Sequence, residues 1–195
     1  MTVLDAPALD VLFRTARTQN GWQNKPVAEA TLHALWDLLK MGPTSANCLP
    51  ARIVFVTSQA GKARLKPHLM ETNVAKSMAA PVIAIIGYDL DFYEHLPELF
   101  PHTDAKSWFV GNAALIQDTA FRNSALQGAY LIMAARALGL DCGPLSGFDP
   151  DGINGEFFPG TNIKVNFLCN IGYGNGKDVF PRSPRPPFET FCSIV

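Results

Sequence analysis

Pro43-Thr44-Ser45-Ala46-Asn47-Cys48-Leu49-Pro50-Ala51-Arg52-Ile53-Val54-Phe55-Val56 is the stretch whose reading decides the fold. Upstream of it, Leu32, Leu35, Trp36 and Leu39 fall at i, i+3, i+4 and i+7, the stripe of a core-facing helix that Gly42 and Pro43 terminate. At its end, Ile53 to Val56 is a short apolar run rich in β-branched residues and is expected to be a buried strand. Between helix and strand lie hydroxyl and amide side chains bracketed by prolines. Such a turn suits a site that grips a polar ligand ring without charge, and it is also what an ordinary solvated connection looks like.

Working outward, Val82 to Ile86 reads as a second buried strand, and the alternation of Val165, Phe167, Cys169 and Ile171 as another. Lys62 to Met70 can form a helix that Pro67 starts or interrupts. From Asn112 to Leu138 there is neither proline nor a turn cluster, and Gly139 follows as a C-cap. The prediction is a long central helix, about 40 Å at about 1.5 Å per residue. Its apolar residues occupy more than one face, so both sides should meet protein, one of them a second subunit. Asp149-Pro150 has the form of an N-cap followed by proline at the first helical position. Pro181-Arg182-Ser183-Pro184-Arg185-Pro186-Pro187 cannot be an interior element and must run over a surface. With no repeat or linker, a single domain over residues 1–195 is expected. Helices mixed with few, non-alternating strands favour α+β over a doubly wound parallel sheet.

The bulk properties narrow the function classes. At 195 residues, 48% hydrophobic and 17% charged, the chain can fill one core. A net charge of -1 and a pI of about 6.4 exclude a basic nucleic-acid footprint. Cys48, Cys142, Cys169 and Cys192 form no CxxC pair, and reduced thiols in the cytoplasm are the expected state. Met1 to Asp10 shows no signal or transit pattern, and no apolar run is long enough for a membrane span. His33, His68, His95 and His102 lack metal-ligand spacing, so no metal site is expected.

Two glycine-rich segments need separate treatment. Gly172-Tyr173-Gly174-Asn175-Gly176-Lys177 matches neither GxGxxG nor a P-loop and is a turn after the last strand, so any nicotinamide is not held in a Rossmann crevice. Gly139-Leu140-Asp141-Cys142-Gly143-Pro144-Leu145-Ser146-Gly147-Phe148-Asp149 is either a plain helix-to-helix loop or a place where backbone N–H groups approach a flat ligand. Arg14 and Arg17 near the start would form a phosphate clamp with Arg182 and Arg185 near the end if the two pairs converge.

Together these elements resemble the FMN-dependent nitroreductase family. The resemblance is carried by Ala16-Arg17-Thr18, Asn20-Gly21-Trp22, Pro43 to Cys48 with Pro50-Ala51-Arg52, Phe92-Tyr93-Glu94, Leu99-Phe100-Pro101-His102, Thr119 to Ser124, Gly139-Leu140-Asp141 leading to Pro144 through Asp149, and Phe188-Glu189. Within the family the chain is similar to the malonic semialdehyde reductases of pyrimidine catabolism. The resemblance implies an α+β nitroreductase-like fold, with a mainly antiparallel sheet flanked by helices and the long central helix at a dimer interface.

It also implies a homodimer holding FMN between subunits, with NADH or NADPH as hydride donor and a small aldehyde or nitro compound as acceptor. Arg17 and Thr18 match the element near the FMN phosphate and ribityl chain, Ser45 and Asn47 the turn touching the flavin, and Ser146 and Gly147 the backbone donors facing flavin N5 and O4. Arg182 and Arg185 match the basic C-terminal element on the phosphate. Ala16 departs from the pattern, since many relatives carry a second arginine there, and Arg14 or Arg182 would compensate. The segment Phe92 to Phe109 corresponds to the variable helices over the flavin, with Tyr93, His95, Phe100, His102, Trp108 and Phe109 as pocket or packing residues. Arg52 and Arg122 are the candidate cations for a substrate carboxylate. Two alternatives stand beside reduction of malonic semialdehyde to 3-hydroxypropionate: a broad nitro or quinone reductase, and a flavin-binding module without turnover.

Overall fold

A computed structural model describes residues 2–195. In chain order the helices are α1 (Ala6–Leu9), α2 (Glu29–Leu39), α3 (Gln59–Leu65), α4 (Glu71–Ala79), α5 (Leu96–Leu99), α6 (Ala113–Ala137), α7 (Pro150–Phe157) and α8 (Phe188–Phe191). The strands are β1 (Ala51–Val56), β2 (Val82–Asp89), β3 (Asp141–Leu145) and β4 (Ile163–Gly172). They form one sheet in the order β1-β2-β4-β3, and every neighbouring pair is antiparallel. This is the expected α+β layout.

Strand periodicity divides the core. Val82, Ala84 and Ile86 of β2 point to one face, where Leu35 and Leu39 of α2 and Leu131 and Ala135 of α6 cover them. Ile83 and Ile85 point to the other, against Leu65, Leu69, Ile153 and Leu168. All five β2 residues are fully buried, and burying each Val or Ile side chain among them contributes about 1.5–3 kcal/mol. A third cluster, with Phe92, Leu96, Phe109, Cys48 and Ala120 at its centre, packs the 92–109 segment onto the start of α6.

The long helix begins where expected: the Asn112 side chain accepts the Leu115 N–H at 3.1 Å, and Gly139 beyond its end has φ 76°. Asp149 caps α7 through Asp151 N–H at 3.2 Å. Two expectations need correction. Trp36 is 39% exposed, and with Leu32 it lines an apolar groove of about 650 Å³ beside β1 instead of entering the core. The segment after Gly139 is no helix-to-helix loop, because Asp141–Leu145 is an edge strand. Pro144, which cannot donate to a ladder, is tolerated there because the strand is at the edge. Gly143 is required there for another reason, since a Cβ would lie 2.5 Å from the Gln19 carbonyl oxygen.

Candidate functional site

Residues 17–19 run beside β3. Thr18 bridges Cys142 in parallel fashion and Gln19 N–H donates to the Cys142 carbonyl at 3.0 Å. This alignment carries Arg17 and Thr18 to the mouth of a cavity of about 400 Å³, whose lining also includes Arg136, Arg182, Ser183 and Arg185. The two ends of the chain therefore converge. Arg182 donates to the carbonyls of Arg14 and Ala16 at 2.8 and 3.1 Å, and Arg17 donates to the Phe180 carbonyl. Arg185 donates to Ser183 and Pro184 carbonyls of its own tail. A guanidinium has five N–H donors, so these bonds orient the arginines and leave donors over for an anion.

Arg14 does not join them. Its side chain pairs with Asp10 at 2.6 Å, and only its carbonyl takes part. Of the two candidates to compensate for Ala16, Arg182 is the one whose side chain lies at the cavity. Arg136 was missed in the sequence. It stands in the last turn of α6, donates to the Leu12 carbonyl at 2.8 Å, and reaches the cavity from mid-chain.

Ser146 and Gly147 follow β3 on the same edge of the sheet. The Gly147 carbonyl accepts from Met70 N–H at 3.1 Å and from the Asn73 amide at 2.8 Å, which ties the loop to the start of α4. Among the described residues no protein acceptor takes the N–H of Ser146 or Gly147, so both donors are left for another partner.

Ser45 and Asn47 lie on the opposite edge, just before β1. Their 3-10 turn contains two non-glycine residues at positive φ, Ala46 (48°) and Asn47 (50°), and Leu49 (37°) follows two residues later. For Ala and Leu this conformation costs roughly 1–2 kcal/mol each. One local and one long-range bond help to hold it, with Leu49 N–H donating to Thr44 Oγ1 at 3.2 Å and Asn47 Nδ2 to the Leu99 carbonyl at 2.8 Å. Ser45 and Asn47 themselves are exposed. Cys48 behind them is buried, and burial pushes its thiol up to about 11 against a lowering hydrogen bond with Thr44, so it packs as a neutral thiol.

The groups adjoin β1 and β3, three inter-strand steps apart, which at about 4.8 Å per step sets them roughly 14 Å or more apart within one chain. One edge offers cations and free backbone donors. The other offers neutral amide and hydroxyl groups on a strained turn.

Beyond its geometry, residues 14–173 match the family model described as the nitroreductase family. The chain belongs to the nitroreductase family. A Burkholderia lata relative, provisionally named NADH dehydrogenase/NAD(P)H nitroreductase, is 63% identical over 194 residues and covers 100% of both chains. A Polynucleobacter asymbioticus relative with the same provisional name is 59% identical, covering 100% of this chain and 99% of its own. The crystal structure of a provisionally named nitroreductase from Exiguobacterium sibiricum in complex with FMN has the same fold, with TM-score 0.86 and 20% identity over 100% of this chain and 99% of that one.

In this nitroreductase-family chain the 92–109 segment divides its aromatic residues. Phe92 and Phe109 are buried packing residues with ring centroids 4.9 Å apart. Phe100, His102 and Trp108 form an outer edge-to-face group, and Trp108 is half exposed. Arg52 is not a free cation. It pairs with the buried Asp89 at 2.7 Å and donates to the Leu49 and Ala51 carbonyls, both at 3.1 Å. Arg122 is exposed on α6 and has no ion-pair partner among the described residues.

Proposed function

We propose that this chain is one FMN-binding domain over residues 1–195, acting in the cytoplasm as a homodimeric NAD(P)H oxidoreductase that reduces malonic semialdehyde to 3-hydroxypropionate. The observation that carries the cofactor assignment is the convergence of Arg17, Arg136, Arg182 and Arg185 on one cavity. A phosphate monoester dianion is what such a cluster of guanidiniums binds best. Thr18 lies beside them for the ribityl hydroxyls, and the unpaired N–H groups of Ser146 and Gly147 would stabilise negative charge on a reduced ring. Ser45 and Asn47 would read ring edges with neutral groups, which avoids burying a charge. FMN held by these residues would supply hydride transfer between NADH or NADPH and the acceptor.

The division of these residues between opposite sheet edges supports the homodimer. Within one chain Ser45 and Asn47 stand at the edge opposite Arg17 and Ser146, and a second copy would supply them to the cofactor those residues hold. Unpartnered apolar surface supports the same assembly: the groove beside the free edge of β1, Leu115, Phe121 and Leu126 on α6, and Phe188 and Phe191 of the tail.

The malonic semialdehyde assignment, and with it a place in pyrimidine catabolism, rests on the sequence resemblance. The uncommitted Arg122, one residue from Asn123 at the base of the Ser45 turn, is the remaining cation for the substrate carboxylate. A second reading, a broad nitro or quinone reductase, is favoured by the outer Phe100, His102 and Trp108 group, an aromatic shelf suited to flat acceptors. The test is an anaerobic visible spectrum of the FMN-loaded protein with NADH or NADPH, then with each acceptor. Bleaching followed by faster recovery with malonic semialdehyde than with nitroaromatics or quinones supports the first reading, and the reverse order supports the second. A flavin that never bleaches would leave a binding module without turnover, and absence of flavin uptake would overturn the cofactor assignment.

A further inference from the structure

The left-handed turn at Ser45–Asn47 is held from beneath by side chains of α6. Asn123 Oδ1 accepts the Ser45 N–H at 2.8 Å, Gln127 Oε1 accepts the Ala51 N–H at 2.8 Å, and Tyr130 OH donates to the Pro43 carbonyl at 2.9 Å. These residues stand at i, i+4 and i+7, one face of the helix, and meet the connection near its start, at its turn and at its end. Asn123 and Gln127 are completely buried.

Two details show that their acceptor atoms are what matters. The Asn123 amide nitrogen donates to the Thr119 carbonyl at 2.9 Å, which turns its oxygen toward Ser45. Gln127 Nε2, by contrast, is buried without a partner. An apolar residue would pack there without that desolvation cost, so the position keeps an amide for its oxygen, which receives the Ala51 N–H. The base of this clamp is itself fixed, because Ser124 donates to the Gly87 carbonyl of β2 at 2.9 Å.

We propose that Asn123 and Gln127 are positioning residues that hold the Ser45–Asn47 turn in the left-handed shape that presents both side chains to FMN. The proposal rests on the flavin reading of that turn. A backbone in a sparsely populated conformation persists only where its surroundings over-determine it, and these two buried acceptors supply that constraint.

The test is FMN titration of the full-length protein by flavin fluorescence, in wild type, Asn123→Leu, Gln127→Met, Asn47→Ala and the two doubles combining Asn47→Ala with each α6 variant. Asn123→Leu is expected to weaken FMN binding about tenfold and Gln127→Met about threefold. In each double the loss should be smaller than the product of the single losses, because both changes act through the same turn. A residue that merely supports the fold would lower the melting temperature and leave FMN affinity within twofold of wild type, and that result overturns the proposal. Losses that multiply in the doubles overturn it too. Gln127→Met removes an unpartnered donor along with the acceptor, so it is the milder change and carries the test if Asn123→Leu does not fold. Wild-type protein that takes up no FMN would overturn the flavin reading and this proposal together, whereas wild-type binding with unaffected variants overturns the proposal alone.

Discussion

The β3 edge and the β1 edge of the sheet carry the two halves of the candidate site, and they are made of different materials. On the β3 edge arginines from both ends of the chain and from α6 are oriented by ordinary backbone carbonyls around a cavity. On the β1 edge neutral side chains sit on a connection with three residues at positive φ, clamped by buried amides. Charge acts over several ångströms and tolerates loose geometry, while neutral hydrogen bonds demand exact placement of donor and acceptor. Strain is therefore found where the ring would be read and not where the phosphate would be held. The largest test of this contrast is Gly143→Ala. Its Cβ would lie 2.5 Å from the Gln19 carbonyl oxygen and must push the 17–19 segment off β3. The expected cost is about 3 kcal/mol of stability, seen as a lowered melting temperature, together with loss of FMN retention on gel filtration. An unchanged melt would show that the 17–19 segment is not held against β3.

Next in size is Arg185→Ala. A charge-assisted hydrogen bond contributes about 1.5–3 kcal/mol, so FMN affinity should fall roughly 10- to 100-fold with little change in apoprotein melting. Asn47→Ala removes a neutral partner and should weaken FMN only about threefold to tenfold. Salt sharpens the comparison. Between about 0.05 and 0.5 M salt the Arg185→Ala defect should shrink as the phosphate contact is screened, and the Asn47→Ala defect should stay constant. Equal salt dependence of the two defects would break the assignment of charge to one edge and shape to the other.

Much of this framework was legible in the sequence, for reasons that differ by element. The long helix was readable because 25 residues without proline end at a glycine that takes φ 76°. β4 was readable from alternation and α7 from Asp149-Pro150. β3 was not, since Gly143 and Pro144 are turn residues by composition and only their place at a sheet edge makes them a strand. Trp36 obeyed the helical period, but a period does not say whether this chain covers the stripe, and here an open groove adjoins it. The N- and C-terminal arginines were found by type, but Arg136 was not, because it reaches the cavity from the middle of the chain. The α6 clamp did leave a signal. Thr119, Asn123 and Gln127 form a polar line at i, i+4 and i+8 down a helix rich in Ala, Leu and Ile, and buried polar groups at that spacing must have partners.

The smallest effect is the most direct probe of the strained half. Ala46 has φ 48° and ψ 32°, a left-handed conformation that costs an alanine roughly 1–2 kcal/mol and a glycine almost nothing. Glycine also loosens the unfolded chain, which returns about 0.5–1 kcal/mol of that gain. Ala46→Gly should therefore stabilise the protein by up to about 1 kcal/mol, a rise of roughly 2–4 °C in melting temperature for a chain of this size. Because Asn123 and Gln127 fix Ser45 and Ala51 on either side, the turn should keep its shape and FMN affinity should be unchanged. A lower melting temperature would mean that Ala46 is not under strain in the native state. A higher one accompanied by weaker FMN binding would mean that the alanine side chain itself narrows the conformations open to the turn, so that the strain is retained for rigidity at the ring and not merely tolerated.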